Sequence, residues 1–181
     1  MSVRPYRYSE DSRLLGKFLS TLEGPGSFLE IGVGGGRNLV MLGQLQKFDT
    51  IVGTDLIDLS LIRSELPRTL ELIVADKGSC FRRGCFDVVA FNPPYLPSDG
   101  IFDLATDGGR GGVEVPLQFL ESAVSVLKKE GKIVMLLSSD DSIDDVKIYC
   151  EDHDLLFTKV AETGLFFETL FVFLITRWSE K

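Results

Sequence analysis

Apolar positions recur along this chain in two rhythms. Short, nearly unbroken apolar runs fall at residues 28–31, 50–54, 70–75, 86–91 and 132–137. Bounded by polar and turn residues, they predict buried strands. Between them the spacing changes. Leu14, Leu15, Phe18, Leu19 and Leu22 recur at helical intervals and predict a helix over 12–22, with Ser9 or Asp11 as its cap. Further helices are expected at 37–46, briefly near 58–64, at 115–128 and at 140–151. Gly24-Pro25-Gly26 and Lys129-Glu130-Gly131 read as turns. Residues 155–161 and 168–176 read as two closing strands joined by a turn at Gly164.

Strands that alternate with helices imply a Rossmann-like α/β fold with a mainly parallel sheet and helices on both faces. The two closing strands have no helix between them. They predict an antiparallel C-terminal hairpin and bring the sheet to seven strands. The 181 residues suit one domain, with residues 1–23 as a helical cover. At 44% hydrophobic and mean hydropathy +0.15 the composition is that of a globular chain. No apolar run reaches the length of a membrane span, and Met1-Ser2-Val3-Arg4 does not open a leader. The expected setting is the cytoplasm, with the nucleus as a second option. Cys80, Cys85 and Cys150 form no disulfide framework. His153 is the single histidine, so neither a His-rich metal site nor a Ser–His pair is expected elsewhere. A net charge of −8 argues against extensive contact with a phosphate backbone.

Chemistry concentrates at the ends of the predicted strands. The run at 86–91 stops on Asn92-Pro93-Pro94-Tyr95. Two prolines cannot continue a sheet, and they stiffen the residue before them. The motif reads either as a tight turn or as a clamp. As a clamp, Asn92 Oδ1 and the Pro93 carbonyl would each accept a hydrogen of a planar –NH2, while Tyr95 lies over the flat group. Gly32-x-Gly34-x-Gly36 follows the first strand and lets a ligand approach the backbone. A dinucleotide would use such a loop for pyrophosphate. Glu30, just before the loop, disfavours that and suits a cation such as the amino group of S-adenosylmethionine. Asp55 would accept ribose hydroxyls and Asp76 the adenine amine.

Glu30-x-Gly32-x-Gly34-x-Gly36, Asp55, Asp76 and Asn92-Pro93-Pro94-Tyr95 together resemble the class I methyltransferases that methylate nitrogen with S-adenosylmethionine. Tyr6-x-x-x-Glu10-Asp11-Ser12-x-Leu14-Leu15 narrows the resemblance. It points to the short eukaryotic and archaeal branch of the HemK-like glutamine methyltransferases, which modify the Gly-Gly-Gln motif of class 1 release factors. The resemblance implies cofactor contacts at Ser12, Glu30, Gly32, Gly34, Asp55, Leu56, Asp76, Lys77 and Asn92. It implies catalytic groups at Asn92, Pro93 and Tyr95, with Pro94 also against the substrate, S-adenosylhomocysteine as product and no metal. Tyr8 and Lys77 depart from the family pattern, as does the loop 106–112.

The run Leu70–Val74 should be a sheet edge guarded only by Glu71. The resemblance supplies an occupant: a small zinc-binding activator protein that adds a strand there. Three rival readings remain. Adenine-N6 methylation of DNA or RNA would use the same motif on a flipped base, yet Arg82, Arg83 and Arg110 are the only obvious basic loop residues. A nicotinamide oxidoreductase is weakened by Glu30 and by the lack of a hydride-relay residue. The last is a methyltransferase fold retained only for binding.

Overall fold

The computed structural model describes residues 10–57, 63, 70–94, 108, 112–139 and 143–178. The elements run α1 (Glu10–Leu19), β1 (Ser27–Ile31), α2 (Arg37–Leu45), β2 (Thr50–Asp55), β3 (Leu70–Val74), β4 (Phe86–Phe91), α3 (Glu114–Val126), β5 (Leu127–Ser138), α4 (Ile143–Asp152), β6 (Leu155–Gly164) and β7 (Thr169–Arg177). The seven strands form one sheet in the order β3-β2-β1-β4-β5-β7-β6. β1 to β5 pair in parallel, and β7 is antiparallel to both neighbours.

Period-2 alternation sends successive strand residues to opposite faces, so the sheet carries two cores. Phe28, Val88, Ala90 and Val134 face Leu15 and Leu19 of α1 and Leu39 and Leu42 of α2. Leu29, Val89, Phe91 and Ile133 face Leu120 and Val126 of α3 and Val146 of α4. Burying both faces explains why these strands read as nearly unbroken apolar runs.

Three sequence expectations are corrected. Lys129-Glu130-Gly131 is no free turn: β5 begins at Leu127, and the pairing jumps from Phe86↔Leu127 to Val88↔Lys132. The stretch stays on the sheet because Lys128 Nζ reaches Asp87 Oδ2 at 2.7 Å, where Ser27 N and Oγ also donate. Likewise β6 runs through Gly164, which pairs with Thr169, and the turn lies beyond it, where Leu165 N donates to Glu168 O at 2.7 Å. The first helix ends earlier than expected. Its described span, Glu10–Leu19, stops where the Ser20 and Thr21 hydroxyls donate to the carbonyls of Lys17 and Phe18. Asp11 lies inside this helix rather than capping it, and Ser9 lies outside the described residues. So do the expected helix near 58–64, apart from Arg63, and most of the loop after Pro94.

Candidate active site

The strand order reverses between β1 and β4, and ligands of open parallel sheets bind at the carboxyl ends beside that reversal. Glu30, the glycine loop and Asn92 all lie there. The register pairs Glu30 with Ala90 and Ile31 with Phe91, so Asn92 follows directly beside the end of β1. Asp55 ends β2, and Asp76 follows β3 on the same rim. Four parallel neighbours therefore deliver Asp76, Asp55, Glu30 and Asn92 along one edge about 14 Å wide, three strand spacings of roughly 4.8 Å.

Glu30 is 4% exposed. Asn38 Nδ2 donates to its Oε1 at 3.0 Å, while its Oε2 is buried with no hydrogen-bond partner among the described residues. Burial pushes the carboxyl up, the Asn38 hydrogen bond draws it down, and the charge of Asp55 raises it again, leaving it at about 8. A carboxylate oxygen in that position is short of a cationic or N–H donor.

The glycine loop turns through left-handed backbone at Gly32 (φ 75°), Gly34 (φ 53°) and Gly36 (φ 72°). Gly34 N donates to Asp55 Oδ2 at 2.9 Å, and Ile57 N to Asp55 Oδ1 at 3.2 Å. Asp55 thus ties the loop to the end of β2. A side chain at Gly32 would meet the ring of Phe119 at 3.4 Å. Asp76 is ion-paired with Lys77 at 2.6 Å, and Lys77 Nζ lies 5.6 Å from the centre of the Phe119 ring. Leu56 is 55% exposed at the rim, and Ser12 is half-buried on α1.

Asn92 is held from one side only. Its Nδ2 donates to Asp11 Oδ2 at 2.8 Å; its Oδ1 is buried and has no partner among the described residues. Pro93 is buried and Pro94 half-buried. Tyr95 lies outside the described residues.

The sequence alone does not assign Asn38, Phe119 or the role of Asp11. Two of the three left a signal. Asn38 is four residues before buried Leu42, and Asp11 is four before buried Leu15. Each is a polar group on an apolar helix stripe, where a residue lacking a specific partner would be costly.

No model of a protein family matches the chain. A Methanocaldococcus jannaschii protein, named as a candidate protein N5-glutamine methyltransferase, is 34% identical over 145 residues, covering 74% of this chain and 72% of its own. The chain belongs to the protein N5-glutamine methyltransferase family. It is a class I methyltransferase and takes S-adenosylmethionine as cofactor. A chain of the E. cuniculi Mtq2–Trm112 complex, described as responsible for methylating the termination factor eRF1, is similar over 96% of this chain and 98% of its own, with a TM-score of 0.75 and 28% identity. At 15% identity and a TM-score of 0.63, a Streptococcus mutans methyltransferase-like protein solved with S-adenosylhomocysteine shares the fold over 93% of this chain and 98% of its own. For this glutamine methyltransferase the cofactor fits the site on chemical grounds. The unpartnered Glu30 oxygen meets a cation's need, the left-handed glycines keep the loop free of side chains, and Asp55 is an acceptor beside it.

Proposed function

We propose that this chain methylates the side-chain amide nitrogen of the glutamine in the Gly-Gly-Gln motif of a class 1 translation release factor. The observation that carries the reading is the Oδ1 of Asn92, buried and without a partner among the described residues, beside the site for the methyl donor. An amide nitrogen is a poor nucleophile because its lone pair is delocalised. An acceptor fixed on its hydrogens aims the nitrogen and stabilises positive charge growing there. Asn92 Oδ1 and the Pro93 carbonyl are those acceptors, with Tyr95 packing on the amide plane. The cofactor supplies a methyl group already activated by its sulfonium charge: the S–CH3 bond breaks as the N–CH3 bond forms, and the proton then lost from the nitrogen passes to water, so the protein need only position and desolvate. Glu30 receives the cofactor's ammonium, Asp55 its ribose and Asp76 its adenine amine, with Ser12, Gly32, Gly34, Leu56 and Lys77 around them.

The E. cuniculi relative is described in complex with Trm112, which supports a second protein as partner. We place a small zinc-binding activator along β3, the terminal strand of the sheet, by strand addition.

The test offers methyl-labelled cofactor to a release factor, to the same factor with its motif glutamine replaced, to DNA and to RNA, with and without the activator. Label on the intact factor alone supports the reading; label on DNA or RNA moves the assignment to adenine-N6 transfer. Asn92→Ala should lower turnover by about 100-fold or more while cofactor affinity changes little. Activity kept within a few-fold removes Asn92 from the chemistry.

A further inference from the structure

Asp11 is a carboxylate where an amphipathic helix ordinarily buries carbon. It shares the apolar stripe of α1 with Leu15 and Leu19, both fully buried, and is itself 2% exposed. A buried carboxylate persists only where it has partners. Its Oδ1 accepts from Ser12 N at 2.6 Å, and its Oδ2 accepts from Asn92 Nδ2 at 2.8 Å, across 81 positions of sequence.

A carboxamide has two unlike ends of nearly the same shape. The NH2 donates and the oxygen accepts, and a half-turn about the last bond exchanges them. For Asn92 the difference is decisive. An oxygen facing a substrate amide can take its hydrogen; an NH2 there would oppose another NH2. The end of β4 and the stiff Pro93-Pro94 backbone fix where the carboxamide sits, but neither fixes which end points where. Asp11 does. A carboxylate has no hydrogen to give, so only Nδ2 can face it. Oδ1 is then directed away from Asp11, and it is there that the structure leaves it buried and unpartnered among the described residues.

On the reading of the chain as a glutamine methyltransferase, we propose that Asp11 is a positioning residue. It holds the Asn92 carboxamide in the one orientation that presents Oδ1 to the nitrogen being methylated. It does not touch the substrate and moves no proton. Its ionic form also polarises the Asn92 amide, which leaves Oδ1 a stronger acceptor. The same helix serves the other half of the site. Gly16 packs so closely on Asn38, the partner of Glu30, that a Cβ there would lie 2.6 Å from Asn38 Oδ1. α1 therefore braces the methyl donor's acid and the acceptor's clamp together.

Asp11→Asn is the sharp test. It keeps size and shape but brings one oxygen where the carboxylate brought two. Among the partners of position 11, Ser12 N and Asn92 Nδ2 then compete for that oxygen. Whenever Ser12 keeps it, Asn92 must turn over and offer NH2 to the substrate. Turnover on the release factor, assayed in complex with the activator, should fall about tenfold or more, with cofactor affinity held within about threefold and cooperative unfolding retained. A merely structural role would lower stability and cofactor affinity without this selective loss of kcat. A folded Asp11→Asn enzyme with wild-type kcat overturns the proposal. Should the variant not fold, the wild-type protein decides. A scalar coupling across the hydrogen bond from Asn92 Nδ2 to the Asp11 carboxyl carbon supports the proposal, and no coupling in an assigned, well-resolved side-chain spectrum overturns it. Wild-type protein that leaves the release factor unmethylated refutes the functional reading instead, and the coupling still decides the role of Asp11.

Discussion

Glu30 is a single side chain whose environment sets a pH dependence. Its carboxyl rises from 4.5 to about 8 on folding, chiefly through burial. A raised carboxyl favours the folded state fully below its unfolded value, and that contribution is lost as pH climbs through the folded one. Among its contributions, Glu30 should therefore make the cofactor-free protein less stable as pH rises from 4.5 towards about 8. A cation bound beside the acid favours its charged form. Cofactor binding should then expel a proton near neutral pH, read by calorimetry in two buffers of different ionisation enthalpy. Glu30→Gln keeps an acceptor for Asn38 but should bind the cofactor more weakly and lose that part of the proton release. An identical proton count in both would show that Glu30 is not the ammonium's partner.

At the scale of elements, two glycines mark where helices and strands must touch. In β2, a Cβ at Gly53 would lie 2.4 Å from Val33 Cγ2 and 2.5 Å from Leu39 Cδ1. A strand glycine of this kind marks close approach, here of the glycine loop and α2 onto the sheet. Gly53→Ala should cost about 1–3 kcal/mol, seen as a lower urea midpoint with an unchanged slope. In α1 the balance differs. Alanine at position 16 would gain up to about 1 kcal/mol of helix propensity. It would also press on Asn38 Oδ1 at 2.6 Å. Gly16→Ala should therefore change stability little but weaken cofactor binding about tenfold, roughly 1.4 kcal/mol, by displacing the group that holds Glu30. Equilibrium dialysis beside a thermal melt separates the two effects.

The whole molecule shows an asymmetry between its two sheet edges. β6 ends one side, and Lys159 and Glu162 on it form an ion pair at 2.5 Å. Charges of this sort discourage strand addition. β3 ends the other side with Glu71 as its only charge, and Val74 is 61% exposed. An activator strand should dock on the second edge and not the first. Val74→Lys should reduce recovery of the complex by about tenfold while leaving cofactor binding by the chain intact, and Leu156→Lys on β6 should change neither. Equal loss from both variants would move the partner elsewhere.

Local patterns sufficed for much of this. The apolar runs at 28–31 and 86–91 gave β1 and β4 to within a residue, because a strand buried on both faces is mostly apolar along its length, Glu30 and Asp87 being the polar exceptions. Polar residues at successive strand ends located the rim, since a parallel sheet must bring those ends together. The chain's own order could not show that Lys128, three residues from a glycine, would stay tied to Asp87 and turn an expected loop into a bulged strand. Nor could it distinguish Asp11 as a helix cap from Asp11 as the partner of Asn92. Spacing along the chain reports which face a residue occupies. The group it meets there belongs to a segment 81 positions away, and only the assembled sheet with α1 packed across it brings the two within 2.8 Å.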